Sequence, residues 1–147
     1  MSEHRARIEW NNDSDTLAYQ SYTRDHGWSF HSLEVAASAA PEYLGSETRV
    51  NPEEAFVASL SSCHMLTFLA IAAKRKLIVE RYVDNAVGYL EKNEDGRMAI
   101  TRVVLHPEVS FAAGSAVTDS DLESLHEGAH KNCFIANSVK TVVEVGG

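Results

Sequence analysis

A chain of 147 residues with 44% hydrophobic and 23% charged residues reads as a single α+β-sized domain over 1–147, long enough to bury its own core. A net charge of −8 argues against nucleic acid as a partner and for simple solubility. Two cysteines exclude a disulfide scaffold, and with no basic, apolar leader the expected compartment is the reducing cytosol, where a cysteine pair is either packing or chemistry.

Arg5 to Trp10 alternates weakly and predicts a strand, followed by turn material at Asn11 to Asp15. Leu17–Thr23 and Trp28–Val35 predict two strands joined around Asp25-His26-Gly27. Ala36 to Val50 carries Ser, Pro and Gly and predicts a loop. Asn51 to Lys74, NPEEAFVASLSSCHMLTFLAIAAK, predicts a long helix. Asn51 can cap it, Pro52 suits the first helical position, and Glu53 and Glu54 place negative charge at the positive end of the helix dipole. No charged side chain occurs from Ala55 to Ala73, and apolar residues lie nearly all round the wheel, which predicts a buried spine.

Leu77 to Leu90 predicts a strand bent near Asp84-Asn85, and Asn93-Glu94-Asp95-Gly96 a turn. Met98 to Phe111 returns as a second long strand, with Pro107 at an edge or bulge, so the two form a hairpin. Thr118 to Asp121 offers caps for a helix running to about Asn132. A further helical turn is predicted over Cys133 to Ser138, and a closing strand over Val139 to Val145. Strands, long helix, hairpin, helix, strand is an α+β order, not an alternating parallel-sheet pattern.

The spine just reaches membrane-spanning length. Ser59, Ser61, Ser62, His64 and Thr67 interrupt it, and much of the rest is Ala, so a soluble core helix is the better reading.

Four residues are candidates for chemistry. Cys63 sits mid-spine, where a lone helical cysteine is ordinarily packing, yet Ser61, Ser62 and His64 make its surroundings unusually polar. Cys133 lies in AHKNCFIANS. Arg24 is either a solvated turn charge or a fixed guanidinium that lowers a thiol pKa and binds a developing oxyanion. Glu53 is either dipole compensation or a carboxylate that orients Arg24. His126, His130 and Cys133 also follow H-x3-H-x2-C spacing, a plausible three-ligand metal face, with Cys63 or His64 as a fourth ligand. An acyl-transfer enzyme built on Cys63 and a histidine is disfavoured, because no nucleophile elbow is present.

NPEEAFVASLSSCHML, the second cysteine in AHKNCFIANS seventy residues later, and Arg24 on an early strand together resemble the OsmC/Ohr family, the osmotically inducible and organic-hydroperoxide-resistance proteins. The resemblance runs from Ser21 to Val145 and leans to the OsmC side or a further branch. In the hydroperoxide-resistance branch the distal cysteine is usually followed by Pro-Tyr-Ser, where this chain has Phe134-Ile135-Ala136. It implies an OsmC-like fold, antiparallel sheets around a long buried helix, in an intertwined homodimer with sites at the subunit interface. It implies reduction of organic hydroperoxides, with no cofactor and no metal, recycled by an external dithiol of lipoyl type. On that resemblance Cys63 is the peroxidatic residue, Cys133 the resolving one, and Arg24 and Glu53 the family's arginine and glutamate. The rival reading is a metal-binding or binding-only module using His126, His130 and Cys133. Ten residues along one helix separate Glu53 from Cys63 by about 15 Å and about 80°, so Glu53 is expected to act through Arg24, through a helix break, or on the partner's copy.

Overall fold

The computed structural model describes residues 1–146. They form two compact units, 1–55 and 56–146.

The first unit is built on an antiparallel sheet of β1 (Arg7–Glu9), β2 (His26–Phe30) and β3 (Leu33–Ala37), with β2 central. Two sequence expectations change here. Asp25-His26-Gly27 is not a turn, since His26 and Gly27 open β2. The reversal comes instead within the span expected to be one strand, at His31-Ser32, where His31 takes a left-handed φ of 55°. Leu17–Thr23 is not a strand either. Ser21 and Tyr22 both donate backbone N–H to the Ala18 carbonyl, and several later carbonyls are taken by side chains rather than by a neighbouring strand. The 36–50 stretch is the expected loop. It holds a 3-10 turn at Pro41–Tyr43 and a single parallel bridge from Ala37 to Val50. Gly45 is obligatory there, because a Cβ would fall 1.7 Å from the Ala39 carbonyl oxygen.

Helix α1 (Pro52–Lys74) starts as the sequence predicts. Asn51 Oδ1 accepts from Glu54 N at 2.9 Å, and Glu54 Oε1 accepts from Asn51 N at 3.0 Å, a reciprocal cap that satisfies two otherwise orphaned donors. The helix ends with Lys76 at φ 61°, Lys76 N–H donating to Ala73 and Leu77 N–H to Ala72. That is a Schellman ending with a lysine where glycine is usual.

In the second unit, α1 is not buried all round as expected. Leu60, His64, Phe68 and Ala72 form one fully buried stripe at four-residue spacing. Ala58, Ser62, Leu66 and Ala70 lie exposed, Leu66 at 60%. The stripe meets two cores. Phe68 and Ala72 pack with Leu125 and Ala129 and with Tyr82, Val109 and Phe111. Leu60 packs with Val103 and Leu105, flanked by Val57, Ile100 and Val143. By length and a mean hydropathy of 1.7, α1 could cross a membrane.

The expected hairpin is present but broken at one level into two sheets. One sheet pairs β4 (Val79–Asp84) with β7 (Pro107–Phe111). The other joins β5 (Val87–Lys92), β6 (Met98–Leu105) and β8 (Val142–Val145). Asp84 makes the joint: its Oδ1 accepts from His106 N at 2.6 Å, and its Oδ2 accepts from the Ser61 hydroxyl. β8 runs parallel to β6, so this sheet is mixed rather than wholly antiparallel. Helix α2 (Asp119–Asn132) begins at a Thr118–Asp121 capping box, and a short 3-10 turn follows at Ala136–Ser138.

Candidate functional site

The four predicted site residues fall into two pairs, one in each unit. Cys63 and Cys133 are both free thiols, near enough that each shifts the other's pKa. α1 carries Cys63 at mid-length, partly exposed. Cys133 is the C-cap of α2 and only 1% exposed.

The pair is electrostatically asymmetric. Burial pushes the Cys63 thiol up, but donors outweigh it: the backbone N–H of Ile135, the Cys133 thiol, the backbone N–H of Phe134 and the Thr67 hydroxyl together hold it below the ordinary thiol value. Cys133 moves the opposite way. Burial raises it, and so does the neighbouring Cys63, against a lowering hydrogen bond from Ala136 N at 3.4 Å. Cys63 is therefore the more readily ionised of the two thiols. The sequence signal for these donors was faint. Cys133 ends α2, and the chain turns so that the next amides have no helical acceptor, with Asn137 N–H closing back on the Cys133 carbonyl at 3.0 Å.

Arg24 and Glu53 line one cavity of about 490 Å³ in the first unit, walled by Trp10, Leu17, Tyr43 and Pro52. Arg24 is held by its own segment. Its Nη1 donates to the Tyr22 carbonyl and its Nη2 to the Tyr19 carbonyl, both at 2.6 Å. Its guanidinium stacks 3.5 Å over the Tyr22 ring. Among the described residues the ion pairs are Arg5–Glu3, Arg7–Glu9 and Arg49–Asp25, so Arg24 and Glu53 share the cavity without pairing directly. The tyrosines were not anticipated, although Tyr19-x-x-Tyr22-x-Arg24 is visible in the sequence.

The H-x3-H-x2-C metal face does not assemble. His126 Nδ1 faces His64 Nε2 at 3.0 Å with the rings stacked, while Cys133 Sγ faces Cys63. Among the described residues no three His, Cys, Asp or Glu side chains converge to hold a metal ion. Residues 126, 130 and 133 share a helical spacing, but α2 ends at Asn132 and the extended backbone of Cys133 carries its sulfur to another partner.

Known proteins resolve the class. Residues 45–146 match the family model for OsmC-like proteins. The chain belongs to the OsmC family. It is 50% identical to an OsmC-like protein of unknown function from Vibrio cholerae, with 99% of each chain covered and a TM-score of 0.92. An organic hydroperoxide resistance protein from Elizabethkingia anophelis is 19% identical over 98% of this chain and 94% of its own, with a TM-score of 0.70. The organic hydroperoxide resistance protein OhrB of Bacillus subtilis is 17% identical over 97% and 98%, with a TM-score of 0.66. These last two share the fold. No match was found among curated proteins.

Proposed function

We propose that this protein is a thiol-dependent peroxidase that reduces organic hydroperoxides. The observation that carries the reading is the asymmetric thiol pair, a lowered, partly exposed Cys63 beside a raised, buried Cys133. A partly exposed thiol with a lowered pKa beside a buried one with a raised pKa is the arrangement a peroxidatic and a resolving cysteine need. Relatives named organic hydroperoxide resistance proteins lend family-level support.

In the first step the Cys63 thiolate attacks the outer oxygen of the hydroperoxide. The O–O bond breaks, an S–O bond forms, and the alkoxide leaves and takes up a proton to become the alcohol. Cys63 is oxidised by two electrons to a sulfenic acid. The Cys133 sulfur then attacks the sulfenic sulfur, forming the disulfide and releasing water. An external dithiol, of lipoyl type by family analogy, exchanges with that disulfide and is itself oxidised. By family resemblance Arg24 is assigned to stabilise negative charge developing on the peroxide, and Glu53 to orient Arg24. We further propose a cytoplasmic homodimer that covers the exposed apolar face of α1, and in which Glu53 serves either its own subunit or the partner.

Thiol counting before and after one equivalent of cumene hydroperoxide tests this. Wild type should lose two thiols, Cys63→Ser none. In Cys133→Ser, Cys63 should be trapped as a sulfenate or an intermolecular adduct. A Cys63→Ser protein that still consumes peroxide at the wild-type rate would end the reading.

A further inference from the structure

We infer that His26 is a positioning residue for Arg24. The inference rests on the role proposed above for Arg24. The chemistry of its partners fixes the tautomer. An indole N–H is only a donor, and Trp28 Nε1 donates to His26 Nε2 at 3.0 Å. Nε2 is therefore an unprotonated acceptor and Nδ1 carries the hydrogen. Nδ1 lies 2.8 Å from the Arg24 carbonyl oxygen, to which it donates.

The setting explains why such a bond is needed. Arg24 sits on an irregular segment that no strand pairs with. Among the described residues its guanidinium hydrogen-bonds only to carbonyls of the same segment, those of Tyr19 and Tyr22. Those bonds fix the side chain relative to its own loop but not the loop relative to the sheet. His26 is the first residue of the central strand, and Trp28 lies two further on, on the same face. The imidazole thus joins a rigid strand to the peptide that follows Arg24. Two further bonds hold the neighbouring peptides: Trp10 Nε1 donates to the Thr23 carbonyl at 2.8 Å, and Arg49 Nη1 to the His26 carbonyl at 3.3 Å. His26 also lines the Arg24 cavity, which would suit an acid–base group. Both its nitrogens are already committed, so its part is geometric.

The test compares His26→Ala, His26→Asn, Trp28→Phe and Arg24→Met in turnover of cumene hydroperoxide with dithiothreitol as reductant, alongside thermal unfolding. Asn keeps an N–H donor near the Nδ1 position. His26→Ala should lower kcat/KM by about 10- to 100-fold, the scale of a displaced reacting group. His26→Asn should recover to within about threefold of wild type, and Trp28→Phe should fall between. An Ala variant as active as wild type beside an inactive Arg24→Met, or an Asn variant no better than Ala, would overturn the inference. A fully active Arg24→Met would instead remove the role proposed for Arg24. Long-range proton–nitrogen NMR on the wild-type protein is independent of both, because it reads the tautomer directly. Hydrogen on Nδ1 is expected, and hydrogen on Nε2 would overturn the assignment even if every variant misfolds.

Discussion

His64 shows how much one buried ring can weigh. It is 1% exposed, its Nδ1 has no partner among the described residues, and its only bond is to His126. Burial first, then the neighbouring His126 and His130, lower its pKa from 6.5 to about 4, with Asp84 pulling the other way. His126 is lowered too, again chiefly by burial. Between the two His64 values the unfolded chain binds more protons than the fold. The stability gained by keeping the ring neutral is therefore complete above about pH 6.5 and drains away as pH falls toward 4, on the order of 3 kcal/mol in all. Urea unfolding at pH 7.5 and 4.5 should show a clearly smaller acid loss in His64→Phe than in wild type. Equal losses would assign the acid sensitivity to another group. The sequence placed His64 beside Cys63 and flagged its polarity, but adjacent helical residues point apart, and its partner, sixty-two positions away, could not be read from spacing.

At the scale of elements, the parts written in local chemistry were legible. Asn51-Pro52 starts α1, Thr118 caps α2, and Gly96, at φ 75°, makes the Asn93–Gly96 turn. What was not legible depended on partners distant in the chain. Apolar alternation cannot say that Leu17–Thr23 gives its carbonyls to Trp10 and Arg24 instead of to a strand. Nor can it say that a β-branched run at the end of the chain pairs parallel with β6. The broken hairpin lies between these cases, since Pro107 and Asp84-Asn85 announced the bend but not the two separate sheets. Packing at the bend is tight. A Cβ on Gly88 would sit 2.4 Å from Val57 Cγ2, a contact real structures do not tolerate. Gly88→Ala should therefore cost about 1–3 kcal/mol, measured as a shift in the urea midpoint at unchanged slope. No change in midpoint would mean that α1 and β5 have slack there.

At the scale of the molecule, the family was foreseeable from NPEEAFVASLSSCHML and AHKNCFIANS. The hydrogen-bond donors around Cys63 were not, because backbone amides leave no trace in residue types. The spine is the other surprise. Its exposed face, with Leu66 at 60%, is more apolar than water-facing helices usually are. If the proposed homodimer forms along it, Leu66→Asp should shift sedimentation from dimer to monomer at micromolar concentration, since an unpaired carboxylate would be buried at the contact. An unaltered dimer would place the interface elsewhere.

The meeting of the two thiols has a consequence for motion. Many redox proteins must melt a helix end before a distant sulfur can reach the oxidised one. Here the two thiols are already neighbours in the reduced chain, with Cys133 at the C-cap of α2. Oxidation and recycling could then proceed on a nearly static backbone, with amide protons around residues 128–138 exchanging with solvent at similar rates in both redox states.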